Sequence, residues 1–276
     1  MSQSPLERLT RKGLAHGRMA LRRIKPRTPA LAVEGNRRMV MGELEAVTLA
    51  DGIDGWLHPP ASILTLHLLG QVPFGPVVEI GVYLGKYLSI LRAGMGETCR
   101  IVGYDIFDQA QAPLVERTLA GAFGTLGNVA LFQLDSTTLT ADRVREDCGG
   151  APVFMSIDGS HEAGPVLSDM RLADAVLDAE GIVAMDDVLN PLALGVNEGV
   201  ARYLSGPNPD LVPFAYAANK MFFCRADIHA ARLEEATAYL DSRGDDPSFP
   251  VYAQMKRQND PSRRAFFGVD VLIAAG

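Results

Sequence analysis

The fold class of this chain is decided by ten residues, Val77-Val78-Glu79-Ile80-Gly81-Val82-Tyr83-Leu84-Gly85-Lys86. The first four form a short apolar run that predicts a buried strand, and Tyr87–Ala93 predicts a helix directly after the turn. Gly81 lets the chain turn sharply and lets a ligand approach the backbone. The spacing GxxxG disfavours a pyrophosphate-binding turn, which uses GxGxxG. Taken alone, the stretch also fits a generic strand-to-helix turn.

Strands and helices alternate downstream of this turn. Four further apolar runs predict strands, and two longer stretches between them predict helices. This alternation indicates a parallel sheet with helices on both faces. The strands are expected at Arg100–Tyr104, Ala130–Gln133, Val153–Ile157 and Gly181–Met185, and the helices at Ala112–Phe123 and Pro165–Ala179.

The end of the pattern breaks the alternation. Two more strands are expected at Leu211–Ala217 and Lys220–Cys224, and a link of two residues permits only an antiparallel hairpin. Residues 227–241 predict a final helix. We therefore expect an α/β fold, with a Rossmann-like, seven-stranded, mostly parallel sheet that ends in a C-terminal antiparallel hairpin.

The 276 residues are expected to form one domain behind a basic N-terminal arm, residues 1–30. Within residues 31–276, a helical cover spans 31–76, the Rossmann-like core 77–242 and a C-terminal extension 243–276. Phe266–Ala274 is expected to form one more strand or to pack as a flap. Trp56 and His58 are candidates for the cover over an acceptor pocket, although a lone tryptophan is commonly a core residue.

Charge and cysteine content exclude several classes of protein. The arm contains eight basic residues and one acid, so most of the chain is strongly acidic although the total charge is −7. This distribution argues against a broad nucleic-acid-binding face. The arm is expected to be a solvated extension or to make weak contact with an anionic membrane surface or polymer. No apolar run is long enough to span a bilayer, and no secretory signal is expected. Three widely spaced cysteines favour a reduced, cytoplasmic protein.

Acidic residues follow the predicted strands. Glu79 ends the first strand, and Asp105 ends the second about twenty residues beyond the glycine turn, where a carboxylate can accept hydrogen bonds from ribose hydroxyls. Asp135 and Ser136 follow the third strand and place a polar pair beside the expected adenine edge. Any one of these acids alone could be a helix cap, but three at successive strand ends predict a nucleoside-containing ligand.

A second group of carboxylates follows the fourth and fifth strands. Asp158 ends one strand, and Asp186 and Asp187 end the next. Adjacent parallel strands bring these carboxylates to one edge of the sheet, where they repel one another unless they are protonated or bridged by a cation. Oxygen ligands of this kind suit Mg²⁺, Mn²⁺ or Ca²⁺. Capping roles for Asp158 and Asp187 are the alternative.

Residues 77–224 resemble the class I S-adenosylmethionine-dependent methyltransferases, and within them the metal-dependent macrocin and sugar O-methyltransferases, which cephalosporin-hydroxylase-like proteins also resemble. The matching text is VVEIGVYLGKYLSIL, IVGYDIF, FMSIDGSHE, GIVAMDDVLNP and NKMFFC. The terminal hairpin is typical of this class, whereas classical dehydrogenases usually lack it. The resemblance implies S-adenosyl-L-methionine as cofactor and Mg²⁺ or Mn²⁺ at Asp158, Asp186 and Asp187. The implied donor-site residues are Glu79, Gly81, Tyr83, Gly85, Asp105, Asp135, Ser136 and Asp158.

The same resemblance points to the proton acceptor. In catechol-type O-methyltransferases a lysine follows the first metal-binding aspartate by three residues, and the third metal ligand is asparagine. This chain has His161 and Asp187 at those positions, so either His161 or Asp158 is expected to act as the base.

The expected reaction is methyl transfer to a hydroxyl of a small molecule, with a sugar or glycosylated natural product favoured by the resemblance alone. A metal-independent methyltransferase, a non-catalytic cofactor-binding protein and, more weakly, a dehydrogenase are the alternatives. Homo-oligomer formation stays open.

Overall fold

The computed structural model describes residues 41–107 and 111–276. The predicted basic arm, residues 1–30, lies outside the described residues. None of the helices in the described ranges is long and apolar enough to cross a membrane.

Nine helices and nine strands are present in the described part of the chain. The helices are α1 (Glu43–Asp51), α2 (Pro59–Leu69), α3 (Lys86–Met95), α4 (Gln111–Phe123), α5 (Ala141–Cys148), α6 (Ala163–Val176), α7 (Leu194–Leu204), α8 (His229–Arg243) and α9 (Pro250–Arg257). The strands are β1 (Val77–Ile80), β2 (Ile101–Asp105), β3 (Val129–Gln133), β4 (Phe154–Ile157), β5 (Ile182–Met185), β6 (Leu211–Ala217), β7 (Lys220–Arg225), β8 (Arg263–Phe266) and β9 (Val269–Ala275).

All nine strands form one sheet in the order β3-β2-β1-β4-β5-β7-β6-β9-β8. Strands β1 to β5 are mutually parallel, and β7 runs antiparallel to both β5 and β6. The predicted α/β fold, with a mostly parallel sheet followed by an antiparallel hairpin, is confirmed.

The number of strands differs from the seven predicted. The extension forms a second hairpin, in which β9 pairs with β6 and β8 lies at the sheet edge. Phe267 and Gly268 make the turn with φ of 48° and 84°, as a two-residue hairpin of type I′ requires. The pairing of β8 with β9 is difficult to predict from the sequence, because phenylalanine is a rare turn residue and β8 begins with Arg263-Arg264 rather than an apolar run.

Helices cover both faces of the sheet. One core lies between the sheet and α2, α3, α4 and α8, and contains Leu64, Leu88 and Phe222. The other core, with Met155 and Val183, packs under α5, α6 and α7. Helix α2 lies deep in the first core, since Leu64, Leu68 and Leu69 are fully buried. The part of the predicted cover that lines the cavity described below is the loop between α1 and α2, together with Ala61 of α2.

His67 of α2 joins this helix to α8. Its imidazole ring stacks on Tyr239, with centroids 3.7 Å apart. Burial, followed by the charges of Arg243 and Arg232, lowers the pKa of His67 to about 4. A histidine with a depressed pKa stabilises the fold fully above its unfolded pKa, near 6.5, and this contribution is lost as the pH falls towards 4.

We therefore predict that wild-type protein loses up to about 3 kcal/mol more of its free energy of unfolding between pH 7 and pH 4 than His67→Phe does. Phenylalanine keeps the ring stack and cannot take up a proton. Urea unfolding of both proteins at several pH values measures the difference. If the free energies of unfolding of the two proteins depend on pH in the same way, protonation of His67 does not contribute to acid unfolding.

Candidate active site

A cavity of about 720 Å³ opens at the carboxyl ends of β1, β4 and β5. The parallel register pairs Ile80 with Ile157 and Ile157 with Met185, so the residues that follow these strands emerge side by side. Strand β7 runs in the opposite direction and pairs Met221 with Met185, which brings its first residue to the same edge. Side chains alternate between the two faces of a strand.

Four ionisable side chains consequently lie on the face that packs against α2 and α3. Glu79, Asp158, Asp186 and Lys220 all line the cavity. Lys220 is 1 % exposed, and its Nζ lies 3.1 Å from Asp186 Oδ2 and 4.2 Å from the ring centroid of Tyr87. We call these four side chains the cavity floor.

The floor is held together by the ion pair between Lys220 and Asp186. Burial favours the neutral forms, but the facing charges raise the pKa of Lys220 and lower the pKa of Asp186, so both are ionised. The pKa of Asp158 is raised by burial and then by the negative charge of Asp186. The raised pKa favours the protonated form of Asp158 beside the Asp186 carboxylate, and a bound cation would displace that proton.

Besides Lys220 Nζ, which is ion-paired with Asp186 but has no hydrogen-bond partner among the described residues, Glu79 is the part of the floor with an unmet hydrogen-bonding need. Its side chain is 1 % exposed, and Oε2 has no hydrogen-bond partner among the described residues. Burial, and then the negative charge of Asp158, raises its pKa. Ser156, its neighbour on β4, is likewise buried with its hydroxyl unpartnered there. Such groups cost about 1–3 kcal/mol each when unsatisfied, which favours a polar ligand at this end of the cavity.

Asp187 has different neighbours from Asp186. His161 Nε2 lies 3.0 Å from Asp187 Oδ2, and Asn190 donates a 2.6 Å hydrogen bond to Asp187 Oδ1. Ligand atoms of Asp158, His161 and Asp187 all lie within 4.8 Å of one another, so together they could hold a divalent cation. Two of the three predicted metal ligands are in this group, whereas the third, Asp186, faces Lys220.

Several of the predicted donor-site residues lie outside the cavity lining. Gly81, Tyr83 and Glu79 line the cavity; Gly85, Asp105, Asp135 and Ser136 do not. Asp105 Oδ2 accepts hydrogen bonds from the backbone N–H groups of Val82 and Tyr83, at 2.7 and 2.8 Å, and so fixes the glycine-bearing turn.

Asp135 and Ser136 are engaged in local hydrogen bonds. Asp135 Oδ1 accepts from the backbone N–H of Thr137 at 2.9 Å and caps a short 3₁₀ turn. The Ser136 hydroxyl donates to Asp169 at 3.2 Å.

Comparison with known proteins shows which family the central part of the chain is similar to. Residues 78–188 match the family model of a methyltransferase domain. The match covers less than half of the chain, and over these residues the sequence is similar to a methyltransferase domain. The match confirms the predicted class, the S-adenosylmethionine-dependent methyltransferases.

The fold is shared with solved methyltransferases of low sequence identity. The S-adenosylhomocysteine-bound Podospora anserina methyltransferase PaMTH1 is 13 % identical, with a TM-score of 0.50 over 66 % of this chain and 87 % of its own. CalS11, a TDP-rhamnose 3′-O-methyltransferase of calicheamicin biosynthesis, is 19 % identical over 66 % of this chain and 79 % of its own, with a TM-score of 0.46.

MycE of the mycinamycin pathway, solved with Mg, S-adenosylhomocysteine and mycinamycin VI, is 18 % identical over 66 % of this chain and 53 % of its own, with a TM-score of 0.47. No curated protein matches the sequence significantly.

Three contributors to the candidate site are not apparent from the sequence: Lys220, Tyr87 and Asn190. The lysine at the start of the apolar run KMFFC is the one available signal, because a charged residue at the end of a buried strand needs a partner. Five non-glycine residues around the cavity have left-handed backbone conformations, and such strain concentrates at functional sites. They are Tyr83, Asp187, Leu189, Ala218 and Asn219.

Gly81 is constrained by the protein as well as by any ligand. Its φ is 85°, and a Cβ at this position would overlap the backbone carbonyl of Asp158. The sequence indicates a close approach of ligand to this glycine, but the backbone of the β4–α6 loop already occupies the space. A side chain at position 81 would therefore disturb the fold.

We predict that Gly81→Ala lowers the free energy of unfolding by more than about 2 kcal/mol, because the left-handed conformation and the overlap with Asp158 both act against it. Gly121→Ala is the matched control, since a Cβ on that residue of α4 meets nothing within 4 Å. Denaturant unfolding of the two variants gives the comparison. Equal free energies of unfolding in the two variants would mean that the turn after β1 and the β4–α6 loop can move apart without cost.

Proposed function

We propose that this protein transfers the methyl group of S-adenosylmethionine to a hydroxyl of a small molecule, with a divalent cation held beside the acceptor. The observation that carries the proposal is the joining, in one cavity, of the turn after β1 to the Asp158–His161–Asp187 group. The donor and a hydroxyl-bearing acceptor can therefore share one enclosure.

The proposal of a methyl-donor site rests on buried polar groups without hydrogen-bond partners and on the residues at the carboxyl end of β2. An ammonium group of the donor would satisfy Glu79 Oε2, which has no partner among the described side chains. Asp105 uses Oδ2 to hold the turn; its other oxygen, which has no hydrogen bond to a described residue, could accept from ribose hydroxyls. Ile106, which follows it, is 76 % exposed and offers an apolar surface to the adenine ring. Gly85, whose φ is 84°, would shape the same turn, and Asp135 and Ser136 follow β3 at the adjoining edge of the sheet.

The proposal of a bound cation rests on the ligand atoms that this site offers. Asp158 and Asp187 supply the carboxylate oxygens that Mg²⁺ and Mn²⁺ prefer, and His161 lies beside them. When bound, the cation would lower the pKa of the acceptor hydroxyl. Asp186, already neutralised by Lys220, would act on the site through its hydrogen bond with Asp158.

His161 is assigned as the proton acceptor. Nε2–H donates to Asp187, which orients the ring and leaves Nδ1 free to accept a proton. The side chain is 55 % exposed, so the proton can pass on to water. Asp158, the other candidate base, is engaged with Asp186.

The test is Mn²⁺ binding measured by electron paramagnetic resonance on matched variants. We predict that Asp187→Asn weakens Mn²⁺ binding at least about tenfold, as loss of a charged ligand should. Asp186→Asn should instead lower the free energy of unfolding by about 3–5 kcal/mol, because it leaves the buried Lys220 ammonium without a counter-charge. Equal loss of Mn²⁺ affinity in both variants would restore Asp186 as a ligand.

The same Mn²⁺ titration of His161→Ala shows whether His161 acts as the base or binds the cation. The variant should keep its Mn²⁺ and S-adenosylhomocysteine affinities, while methyl transfer to a panel of methyl glycosides and catechols falls about 10²–10⁴-fold, with a smaller loss at high pH. Weakened Mn²⁺ binding would make His161 a ligand. Full methyl transfer after exhaustive chelation would favour a metal-independent enzyme.

A further inference from the structure

The loop between β5 and α7 is held by two asparagine side chains. Asp187 and Leu189 have left-handed backbone conformations, with φ of 57° and 65°. Such a conformation costs free energy in residues other than glycine, so it persists only where the surroundings hold it. Asn197, in the first turn of α7, accepts a 2.6 Å hydrogen bond from the backbone N–H of Leu189 and donates to the carbonyl of Asn190 at 3.3 Å. The shape of this loop is therefore fixed from α7.

The side chain of Asn190 has one orientation that satisfies its neighbours. Its Oδ1 accepts a 2.9 Å hydrogen bond from the backbone N–H of Leu192, a group that can only donate. The amide nitrogen consequently points the other way, and Nδ2 donates a 2.6 Å hydrogen bond to Asp187 Oδ1. Hydrogen bonds to a carboxylate are stronger than those between neutral groups. The turn needs only the bond to Leu192, so the bond to Asp187 has a separate role.

The two oxygens of the Asp187 carboxylate have different surroundings as a result. Oδ1 is engaged by the Asn190 amide, whereas Oδ2 lies 3.0 Å from His161 Nε2. A cation held by Asp158, His161 and Asp187 would therefore meet a single oxygen of Asp187. Mg²⁺ requires a near-octahedral shell, which single carboxylate oxygens and water complete, whereas Ca²⁺ takes a larger, more flexible shell and often binds both oxygens of one carboxylate.

We propose that Asn190 is a positioning residue that selects the cation, because it restricts Asp187 to one coordinating oxygen and so favours Mg²⁺ over Ca²⁺. This inference rests on the proposed function and specifies which cation its site takes. The amide oxygen of Asn190 is engaged with Leu192, and an amide nitrogen is not a ligand for hard cations. Asn190 therefore acts on the cation through Asp187 alone.

The test is competition for the Mn²⁺ site of the full chain. Bound Mn²⁺ is followed by electron paramagnetic resonance while Mg²⁺ or Ca²⁺ is added, which gives the ratio of the Ca²⁺ and Mg²⁺ affinities. Asn190→Ala frees Asp187 Oδ1, so we expect the ratio to shift at least about tenfold towards Ca²⁺, the usual size of effect for a residue that orients a metal ligand. An unchanged ratio, including equal loss of affinity for both cations, would overturn the proposal.

Asn197→Ala is the control for a loosened loop. It removes the hydrogen bond to Leu189 but leaves the bond between Asn190 and Asp187 in place. The Mg²⁺ and Ca²⁺ affinities should therefore fall together, and their ratio should stay at the wild-type value. A shift towards Ca²⁺ as large as that of Asn190→Ala would mean that mobility of the loop sets the ratio, and this too would overturn the proposal.

A second variant keeps the test valid if Asn190→Ala does not fold. Asn190→Asp retains an acceptor for the Leu192 N–H but cannot donate to Asp187 when it is ionised, so the ratio should shift in the same direction. Wild-type protein that binds no Mn²⁺ would refute the cation of the proposed function together with this inference. Mn²⁺ binding by wild type with an unchanged ratio in the Asn190 variants would refute this inference alone.

Discussion

The buried ion pair between Lys220 and Asp186 is the interaction on which the candidate site depends. It places a positive charge among the buried carboxyl groups of the cavity floor. Because Lys220 is 1 % exposed, its ammonium is stable there only beside a carboxylate and over the face of Tyr87. The Thr65 hydroxyl lies 2.8 Å from the Tyr87 hydroxyl and so ties this group to α2.

This ion pair separates the roles of two consecutive aspartates. Asp186 faces inward to Lys220, whereas Asp187, with φ of 57°, faces His161 and Asn190. A cation beside Asp158 would therefore meet Asp187 as its second carboxylate. The left-handed conformation at Asp187 is the backbone feature that lets consecutive residues serve different partners.

Most of the sheet follows from apolar runs in the sequence. The predicted bounds of β1 and β6 agree with the structure, and the other core strands differ by a residue or so at their ends. The meeting of Asp158, Asp186 and Asp187 at one edge could be predicted because parallel register is regular. Strand β9 agrees with the strand expected at Phe266–Ala274, but its pairing with β8 could not be predicted, since β8 begins with two arginines and the Phe267-Gly268 turn is unusual.

The partner of each carboxylate was beyond sequence reasoning for a physical reason. Lys220 reaches Asp186 because the left-handed turn at Ala218 and Asn219 sets the antiparallel register of β7 on β6, and β7 pairs on its other side with β5. Likewise, the exposure of Trp56 depends on how the loop after α1 rests on Tyr83, which no local pattern encodes. Asp135 was a reasonable donor-site candidate, but its own turn takes up one of its oxygens.

The central claim is that the cavity beside β1 is a methyl-donor site with Glu79 at its polar end. Calorimetric titration of wild type and Glu79→Gln with S-adenosylhomocysteine, and of wild type with NAD, tests it most directly. We expect wild type to bind S-adenosylhomocysteine and not NAD, and Glu79→Gln to bind it at least about tenfold more weakly, since a charged hydrogen bond is worth about 1.5–3 kcal/mol. Binding of NAD in place of S-adenosylhomocysteine, or an unchanged affinity in Glu79→Gln, would contradict the account.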